Sequence, residues 1–373
     1  MKRIVRIQSL LCLSAMLLVT QMAMGLNPFQ GSQPVTPNQD AAATVSSATN
    51  ALILSYLKTA SATASLEKSI SGAFIQPWES DNDRSADSWR EELQAMKEIG
   101  ITTVIMQFNQ YNGVNFSEAT ENLLAIADEL EMEVFIGTAL NEEGWYVNKI
   151  MPTFLAKESK IVAEYTTILV NQFKSHKSFI GVYIRYEDNT LSFPGAMGDF
   201  YGRISEAARA AKTDLKVLIS PYTTPRPGLA VSLPKAALRA YFKTMLKRAK
   251  VDICAWQDGV GGTRKQLERV AHDLGPIVKI CKELGIDAWA NLEVFHRTTP
   301  LKEDFAAEAT DIETLKKQIE AESPYVKKLI CFDFNHYFSP NSPDSTAHKL
   351  YEDYRRLVQT IEKPPTAPSQ PAE

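Results

Sequence analysis

The chain has 373 residues, of which 45% are hydrophobic, and its formal net charge at pH 7 is −4. This length and apolar content suit one large domain with a full core. Lys and Arg are scattered along helical segments and nearly balanced by Asp and Glu, which argues against the clustered basic surface of a nucleic-acid-binding protein.

The N-terminus has the three parts of a secretory signal peptide. Lys2 and Arg3 supply positive charge, residues 10–20 form a short apolar stretch, and the small residues around 23–25 resemble a cleavage site. We therefore predict a signal peptide over residues 1–25, a secreted or periplasmic location, and no stable membrane insertion after cleavage. An uncleaved N-terminal anchor is the alternative.

Two segments have the composition of unstructured chain. Residues 26–70 are rich in Ala, Ser, Thr, Gln and Pro, which is typical of a low-complexity linker, and the tail 363–373 is predicted to be disordered. Beyond the signal peptide the cysteines are Cys254, Cys281 and Cys331, and no Cys or His spacing typical of zinc occurs. We predict neither a cofactor nor a metal.

Between residues 71 and 362, apolar β-rich runs alternate with amphipathic helical segments. The predicted strands are 72–77, 102–109, 133–140, 179–187, 216–222, 251–257, 287–295 and 329–337. The predicted helices are 87–99, 118–130, 154–173, 199–211, 235–248, 264–284, 311–322 and 348–361. This alternation implies parallel strands joined by crossover helices, and eight such units predict a single α/β domain with the (β/α)8, or TIM, barrel fold.

An open doubly wound sheet is the alternative arrangement of such units. That fold would require a Gly-rich phosphate turn after an early strand. The glycines at 259–262 follow the sixth strand and lack the GxGxxG spacing, so the barrel is favoured.

In a barrel of this kind, functional groups follow the C-terminal ends of the strands. The fourth run, FIGVYIRYE, ends on Glu187, and the seventh, DAWANLEVF, has Glu293 at its exit. A Glu at such a position must be paired or protonated, because an unpaired buried charge is costly. We predict that both face one pocket, together with further strand-end residues: Trp78, Gln107, Asn109, Trp145, Tyr222, Trp256, Gln257, Asp258, Asn291 and His336.

These residue types suit a carbohydrate. Aromatic rings stack on sugar rings, amides and carboxylates bind hydroxyls, and two carboxylates are what glycoside hydrolysis requires. The sequence predicts a glycoside hydrolase acting on an oligosaccharide or polysaccharide. Glu187 is expected to be the general acid/base, with its pKa raised by burial and by the charge of Glu293, the nucleophile. Asn109, Gln257 and Asp258 are expected to bind hydroxyls.

The segment 71–340 resembles the DUF4434 family, exported (β/α)8 proteins of the glycosidase-like barrel superfamily. The motifs that carry the resemblance are GAFIQPW, MKEIGITTVIMQ, GVYIRYED, AWQDGVG and WANLEVF. A looser resemblance is to the clan of retaining glycosidases with an acid/base Glu after strand four and a nucleophile Glu after strand seven, which implies those roles for Glu187 and Glu293. Tyr186 stands where that clan has an Asn that helps to bind the sugar 2-hydroxyl.

Other interpretations remain open at this point. Glu187 and Glu293 could be structural ion pairs with Arg185 or Arg297, and the tryptophans could be packing residues. A non-catalytic carbohydrate-binding barrel in polysaccharide export or assembly is the alternative function, and it would keep the aromatic platforms without needing both carboxylates. A polysaccharide lyase and a metal-assisted deacetylase are further alternatives. The sequence predicts no oligomeric state.

Overall fold

A computed structural model describes residues 68–148, 151–187, 192–223, 234–301 and 303–362. The predicted signal peptide 1–25, nearly all of the linker 26–70 and the tail 363–373 lie outside the described residues. In the described part of the chain, no helix is both long enough and apolar enough to cross a membrane.

Eight parallel strands close into a barrel, with each strand paired to its neighbours in chain order and β1 paired to both β2 and β8. The strands are β1 (Ile70–Ile75), β2 (Thr103–Met106), β3 (Glu133–Gly137), β4 (Phe179–Ile184), β5 (Lys216–Ile219), β6 (Ile253–Gln257), β7 (Asp287–Glu293) and β8 (Lys328–Phe332). The predicted (β/α)8 fold is confirmed.

In the part of the chain that the structure describes, eight main helices connect the strands and surround them. They are α1 (Ala86–Glu98), α2 (Ser117–Leu130), α3 (Pro152–Phe173), α4 (Pro194–Ala211), α5 (Lys235–Ala249), α6 (Leu267–Leu284), α7 (Ile312–Glu322) and α8 (Ser345–Glu362). Shorter helical segments are Glu79–Asp83, Glu142–Asn148 and Phe334–Tyr337.

Local sequence explains where these helices begin and end. The Ser85 side chain caps α1 by accepting a hydrogen bond from the Ser88 amide, and Gly100, with φ of 86°, follows its last turn. Trp89, Leu93 and Met96 recur at helical spacing and are fully buried against the barrel. The packing of such faces, more than helix propensity, holds the helices in place.

Side chains alternate between the two faces of each strand. One face packs against the helices in the main core, and the other fills the barrel axis. The axial residues are Phe74, Ile105, Phe135, Tyr183, Leu218, Ile253, Ala255, Trp289 and Ile330. The lower part of the barrel is therefore packed solid, so any site must lie above this plug.

Several predicted strands are longer than the observed ones. The chain leaves the barrel early and its apolar exits form two small sheets at the rim: Val114–Asn115, Gln110–Tyr111 and Ala139–Leu140, and Phe295–Arg297 with Ala307–Ala309. After β8, the segment Phe334–Tyr337 is helical. Apolar content alone does not distinguish a barrel strand from a buried exit.

The fourth helix begins at Pro194, five residues before its predicted start at 199. Gly195 and Gly198 lower the helix propensity of this segment, so the sequence pattern did not predict its first turn. Their reason is packing: a Cβ at Gly198 would lie 2.5 Å from the carbonyl oxygen of Met245 in α5. Glycine thus allows the two helices to approach closely.

Candidate active site

A layer of polar side chains covers the apolar plug at the C-terminal end of the barrel. Each member lies two residues beyond an axial residue of its own strand, so alternation directs it to the same inner face. The members are Gln76, Gln107, Arg185, Ser220, Gln257 and Asn291. Three of the predicted site residues, Gln107, Gln257 and Asn291, are thus brought to the barrel mouth.

On the side of β1, β2 and β4, these side chains form a chain of hydrogen bonds. The Gln107 amide, oriented by its partners, donates to Gln76 Oε1 (2.6 Å) and accepts from Arg185 Nε (3.0 Å) and Nη2 (3.2 Å). Arg185 Nη1 lies 3.1 Å from Glu187 Oε1. The guanidinium is therefore fixed between an amide and a carboxylate.

Glu187 has a second partner from inside the barrel. The Tyr183 hydroxyl donates to Glu187 Oε1 (2.7 Å), and the Glu187 side chain is 17% exposed. A cation and a hydroxyl donor on one carboxylate both stabilise its negative charge. Beyond it lies Glu142, whose pKa is raised by burial and by the Glu187 charge, with Arg185 acting against both.

The opposite side, formed by β5, β6 and β7, is a network of neutral groups. Gln257 Nε2 donates to the Ser220 carbonyl (2.7 Å), Asn291 Nδ2 donates to Ser220 Oγ (3.1 Å), and that hydroxyl donates to the Ala255 carbonyl (2.8 Å). Asn291 is 1% exposed, while Gln257 is half-buried. Gln257 is therefore the more accessible of the two amides for a ligand.

Glu293 lies at the end of β7 and is 8% exposed. Its Oε2 accepts a hydrogen bond from the Gly262 amide (2.6 Å). Burial and the negative charge of Asp258 raise the pKa of Glu293 to about 8, although the Gly262 amide and Lys265 act in the other direction. Glu293 therefore carries a proton at neutral pH, unlike an ordinary glutamate.

The loop after β6 makes this environment. A Cβ at Gly261 would lie 2.1 Å from the carbonyl oxygen of Phe295 and 3.1 Å from Glu293 Cβ. Only glycine permits the loop to approach β7 this closely. The two glycines thus let backbone rather than water cover the Glu293 carboxyl.

Other predicted site residues point away from the mouth. Trp145 is 3% exposed and packs edge-on against Tyr186, with ring centroids 5.1 Å apart. Trp256 is fully buried in the outer core, with Lys265 Nζ 4.5 Å from its ring centroid. Neither ring has a free face for a sugar, so the expectation that they form subsites has no support in this arrangement.

Two polar predicted residues are also engaged within the protein. Asn109, 1% exposed, donates to Thr120 Oγ1 (2.7 Å) and accepts from the Tyr165 hydroxyl (2.5 Å). Asp258 is fully buried and lies behind β7. Tyr222 is half-buried and pairs through its backbone with Gln257. The direct hydroxyl binding expected of Asn109 and Asp258 is therefore not available in this structure.

Tyr186 lies on the outer face of its strand. Its hydroxyl donates to Glu158 Oε1 (2.7 Å), and its side chain is 1% exposed. Together they help to line a cleft of about 290 Å³ beside the mouth, with Asn112 and Asn141. Tyr186 therefore contacts Glu158 and does not point into the barrel mouth.

Trp78 is an aromatic side chain that the rim presents to solvent, with 58% of its surface exposed. Its Nε1 donates to His336 Nε2, and His336 Nδ1 lies 2.5 Å from Asp333 Oδ2. Burial lowers the pKa of His336, but the charge of Asp333 and its hydrogen bond outweigh burial, so the pKa lies above its ordinary value. This three-residue chain fixes the indole at the rim, where a sugar ring could stack on it.

Sequence reasoning missed several residues that shape the two carboxyls. Tyr183 lies inside an apolar strand. It precedes Arg185 by two residues and Glu187 by four, and this spacing could have predicted that the three side chains share the inner face of the barrel. Glu322 and Gln318 lie on α7 and contact the β7 environment from behind. Their spacing of four on one helix face is a signal of shared burial.

Among the described residues, no cluster of three or more His, Cys, Asp or Glu side chains has the arrangement of a metal site. Residues 70–347 match the model of a family described as a domain of unknown function, DUF4434. The chain belongs to the DUF4434 family. No curated protein matches its sequence.

Solved structures similar to this DUF4434 protein include several glycoside hydrolases. A protein of Bacteroides thetaiotaomicron, titled a "putative alpha-L-fucosidase", superposes with a TM-score of 0.65 at 22% identity over 78% of this chain and 93% of its own. A β-galactosidase from the psychrophilic Marinomonas ef1 gives 0.54 at 10% identity, over 79% of this chain and 60% of its own. An endoglucanase gives 0.51 at 12% identity, over 80% and 99%. At these identities the similarity establishes the fold.

Proposed function

We propose that this DUF4434 protein is an exported glycoside hydrolase of the secreted or periplasmic space, acting on an oligosaccharide or polysaccharide. The observation that carries the proposal is the contrast between two carboxyls at the strand ends of one barrel. Burial and the Asp258 charge raise the pKa of Glu293 to about 8, whereas Glu187 contacts a guanidinium and a phenol hydroxyl. Glycoside hydrolysis uses one protonated and one ionised carboxyl.

The environments favour roles opposite to those expected from the sequence. Glu293 keeps its proton at neutral pH, which suits a general acid that protonates the leaving oxygen. Glu187, with its charge stabilised by Arg185, suits the nucleophile or the base that activates water. Gln76, Gln107 and Gln257 supply amides at the mouth, and Trp78 supplies a stacking surface.

Leaving-group dependence tests these roles. Aryl glycosides with a strongly acidic phenol need no protonation, whereas those with a weakly acidic phenol do. Glu293→Gln should lower kcat/KM by about 10²–10⁴-fold for weakly acidic phenols and have little effect for strongly acidic ones. Glu187→Gln should abolish turnover of both, and the exposed variant Glu308→Gln is the control. The reverse pattern would restore the roles expected from the sequence.

The pH profile provides a second reading of the same assignment. Because Glu293 must be protonated to act as the acid, activity should fall as the pH rises through about 8. The anomeric configuration of the first product, followed by NMR, then separates the two forms of the mechanism. Retention would make Glu187 a nucleophile, and inversion would make it a base.

A non-catalytic carbohydrate-binding barrel is the second candidate, and one observation favours it. Arg185 holds Glu187 in an ion pair of 3.1 Å with both side chains mostly buried, which is also how a structural pair looks. Such a protein would bind sugars at Trp78 without turnover. Saturable oligosaccharide binding with no hydrolysis of any aryl glycoside would favour this candidate.

A further inference from the structure

Behind β7, the carboxyl groups of Asp258 and Glu322 are buried next to Glu293, which lies at the strand end. Asp258 follows β6 and Glu322 ends α7, and both are fully buried, while Glu293 is 8% exposed. Three adjacent carboxylates cannot all be ionised in a low-dielectric interior, because each charge opposes the others. Their hydrogen-bond partners indicate which of them holds the charge.

Asp258 is surrounded by donors. Its Oδ1 accepts from the Val260 amide (3.0 Å) and the Glu293 amide (3.3 Å), and its Oδ2 accepts from Gln318 Nε2 (2.6 Å). Three donors on two oxygens are the environment of an ionised carboxylate. Burial raises the pKa of Asp258 above its ordinary value, and these three donors, followed by Lys265, oppose that rise and so stabilise its charge.

Lys265 is the buried cation of this region, but it hydrogen-bonds elsewhere. Its Nζ contacts Asp273 Oδ2 (3.3 Å) and Thr223 Oγ1 (3.2 Å). The charge of Lys265 still lowers the pKa values of Asp258 and Glu293. Its contribution opposes protonation of Glu293, which burial and then the Asp258 charge favour.

Glu322 has the opposite surroundings. Among the described residues, neither of its oxygens accepts a hydrogen bond from a protein donor, and the Asp258 carboxyl is the charged group that affects its pKa most. A buried carboxylate without a donor would be very costly, whereas a neutral carboxylic acid can donate its own hydrogen to Asp258. Burial, followed by the Asp258 charge, accordingly raises the pKa of Glu322 well above its ordinary value.

We propose that Glu322 is a permanently protonated carboxyl which, with Gln318, holds Asp258 as a buried anion behind Glu293, and that this anion keeps Glu293 protonated. Asp258 and Glu322 are then positioning residues, since neither reaches the mouth. Asp258 has two effects. Its charge raises the pKa of Glu293, and its Oδ1 accepts hydrogen bonds from the amides of Glu293 and of Val260, in the loop after β6 that covers Glu293. The inference deepens the glycosidase proposal. It rests on that proposal only for the statement that Glu293 donates its proton to the leaving oxygen.

The charged groups that face this cluster come from every element packed around it. They are Asp258 after β6, Lys265 in the covering loop, Asp273 on α6, Glu293 on β7 and Glu322 on α7. Asp273 pairs with Lys265 and so offsets part of its charge. Asp258 contacts the Glu293 backbone amide, and its charge raises the Glu293 pKa. Removing that charge should therefore have the largest effect on the Glu293 proton.

The test is an NMR titration of the full chain labelled with ¹³C at the Glu side-chain carboxyls, which requires no substrate. Glu293→Gln and Glu322→Gln assign the two resonances by their disappearance. In the wild-type protein we expect both carboxyls to be protonated at neutral pH, with Glu293 ionising near 8. A resonance of Glu322 that ionises below neutral pH would overturn the proposal.

Two variants separate charge from shape. Asp258→Asn keeps an oxygen for the two backbone amides. Rotation of the Gln318 amide would turn its Oε1, which has no partner among the described residues, toward the new NH₂. It should lower the ionisation midpoint of Glu293 by about one pH unit or more, because an anion is removed. An unchanged midpoint would overturn the role of Asp258.

Glu322→Gln replaces one neutral group by another and should leave the Glu293 midpoint where it is. A displacement of about one pH unit in either direction would mean that Glu322 carries charge, and would overturn the proposal. If Asp258→Asn does not fold, this variant and the wild-type spectrum still decide. Because nothing here measures hydrolysis, an inactive protein with these titrations would refute the glycosidase and leave the proton arrangement standing.

Discussion

The two sides of the barrel mouth treat a glutamate in opposite ways. On the β4 side, Glu187 meets the Arg185 guanidinium and the Tyr183 hydroxyl, which both favour its negative charge. On the β7 side, Glu293 is buried and lies next to the Asp258 carboxylate, and both burial and this charge favour its proton, although the hydrogen bond from the Gly262 amide opposes it. One fold therefore creates an anion and an acid from the same residue type, through their neighbours alone.

The difference comes from where the neighbours originate. The partners of Glu187 lie two and four residues before it in the same segment, so local sequence determines its charge. The partners of Glu293 come from the loop after β6 and from α7, so its proton depends on tertiary packing. Damage to distant packing should therefore affect Glu293 before Glu187.

The largest change in unfolding free energy should come from removing the Arg185 cation beside Glu187. Arg185→Met would leave Glu187 mostly buried without its ion partner and should lower the free energy of unfolding by about 3 kcal/mol. Urea denaturation measures the change. Arg239→Met, which breaks an exposed pair with Glu283, is the matched control and should cost less than about 1 kcal/mol. Equal losses in the two variants would contradict a buried pair at Glu187.

The next largest effect is the pH dependence of the unfolding free energy that Glu293 causes on the β7 side. A carboxyl whose pKa is raised by folding stabilises the protein below its ordinary pKa, and this stabilisation is lost as the pH rises through the folded value, about 8. The wild type should therefore lose unfolding free energy on the order of a few kcal/mol across that range, part of it through Glu322. Glu293→Gln should remove most of this loss, whereas Glu308→Gln, at an exposed position, should not. A wild-type protein equally stable across the range would show that Glu293 is ionised throughout.

The smallest effect on stability should come from Trp78, which lies at the rim and contacts neither Glu187 nor Glu293. Trp78→Ala removes an exposed ring and should change the unfolding free energy by less than about 0.5 kcal/mol. If the ring stacks on substrate, KM or the ligand Kd should rise roughly 10-fold, with no shift of the pH profile. Tyr325→Ala, another exposed aromatic, is the control. Unchanged binding would exclude Trp78 from the sugar site.

The barrel could be predicted because its evidence is local and repeated eight times. Apolar strands alternate with amphipathic helices, and each strand end identifies inward positions two residues beyond an axial one. Gln107 and Gln257 follow from that rule, and continuing the alternation by two more residues gives Glu187 and Glu293. Strand alternation could also have excluded Trp256, which lies between Ala255 and Gln257 and so faces the helices.

The rest depends on contacts between segments far apart in the chain. Glu322 looks like any acidic residue at a helix end, and only the packing of α7 on β6 and β7 brings it to Asp258. The roles of Glu187 and Glu293 also needed the structure, because a carboxyl's protonation depends on solvent access and on charges that the sequence does not position. Strand position suggests that a glutamate is important, and its surroundings determine what it can do.

Gly261 sets a limit on how this barrel can vary. With a carbonyl oxygen 2.1 Å from where its Cβ would be, the loop has no space for even one more carbon atom. A methyl group there would lift the loop and admit water to the Glu293 carboxyl, while the eight strands, whose pairing lies elsewhere, would remain closed. Hydration of the acid and integrity of the fold are thus separable, and a sequence could lose the first by a single substitution while still matching the family in every other respect.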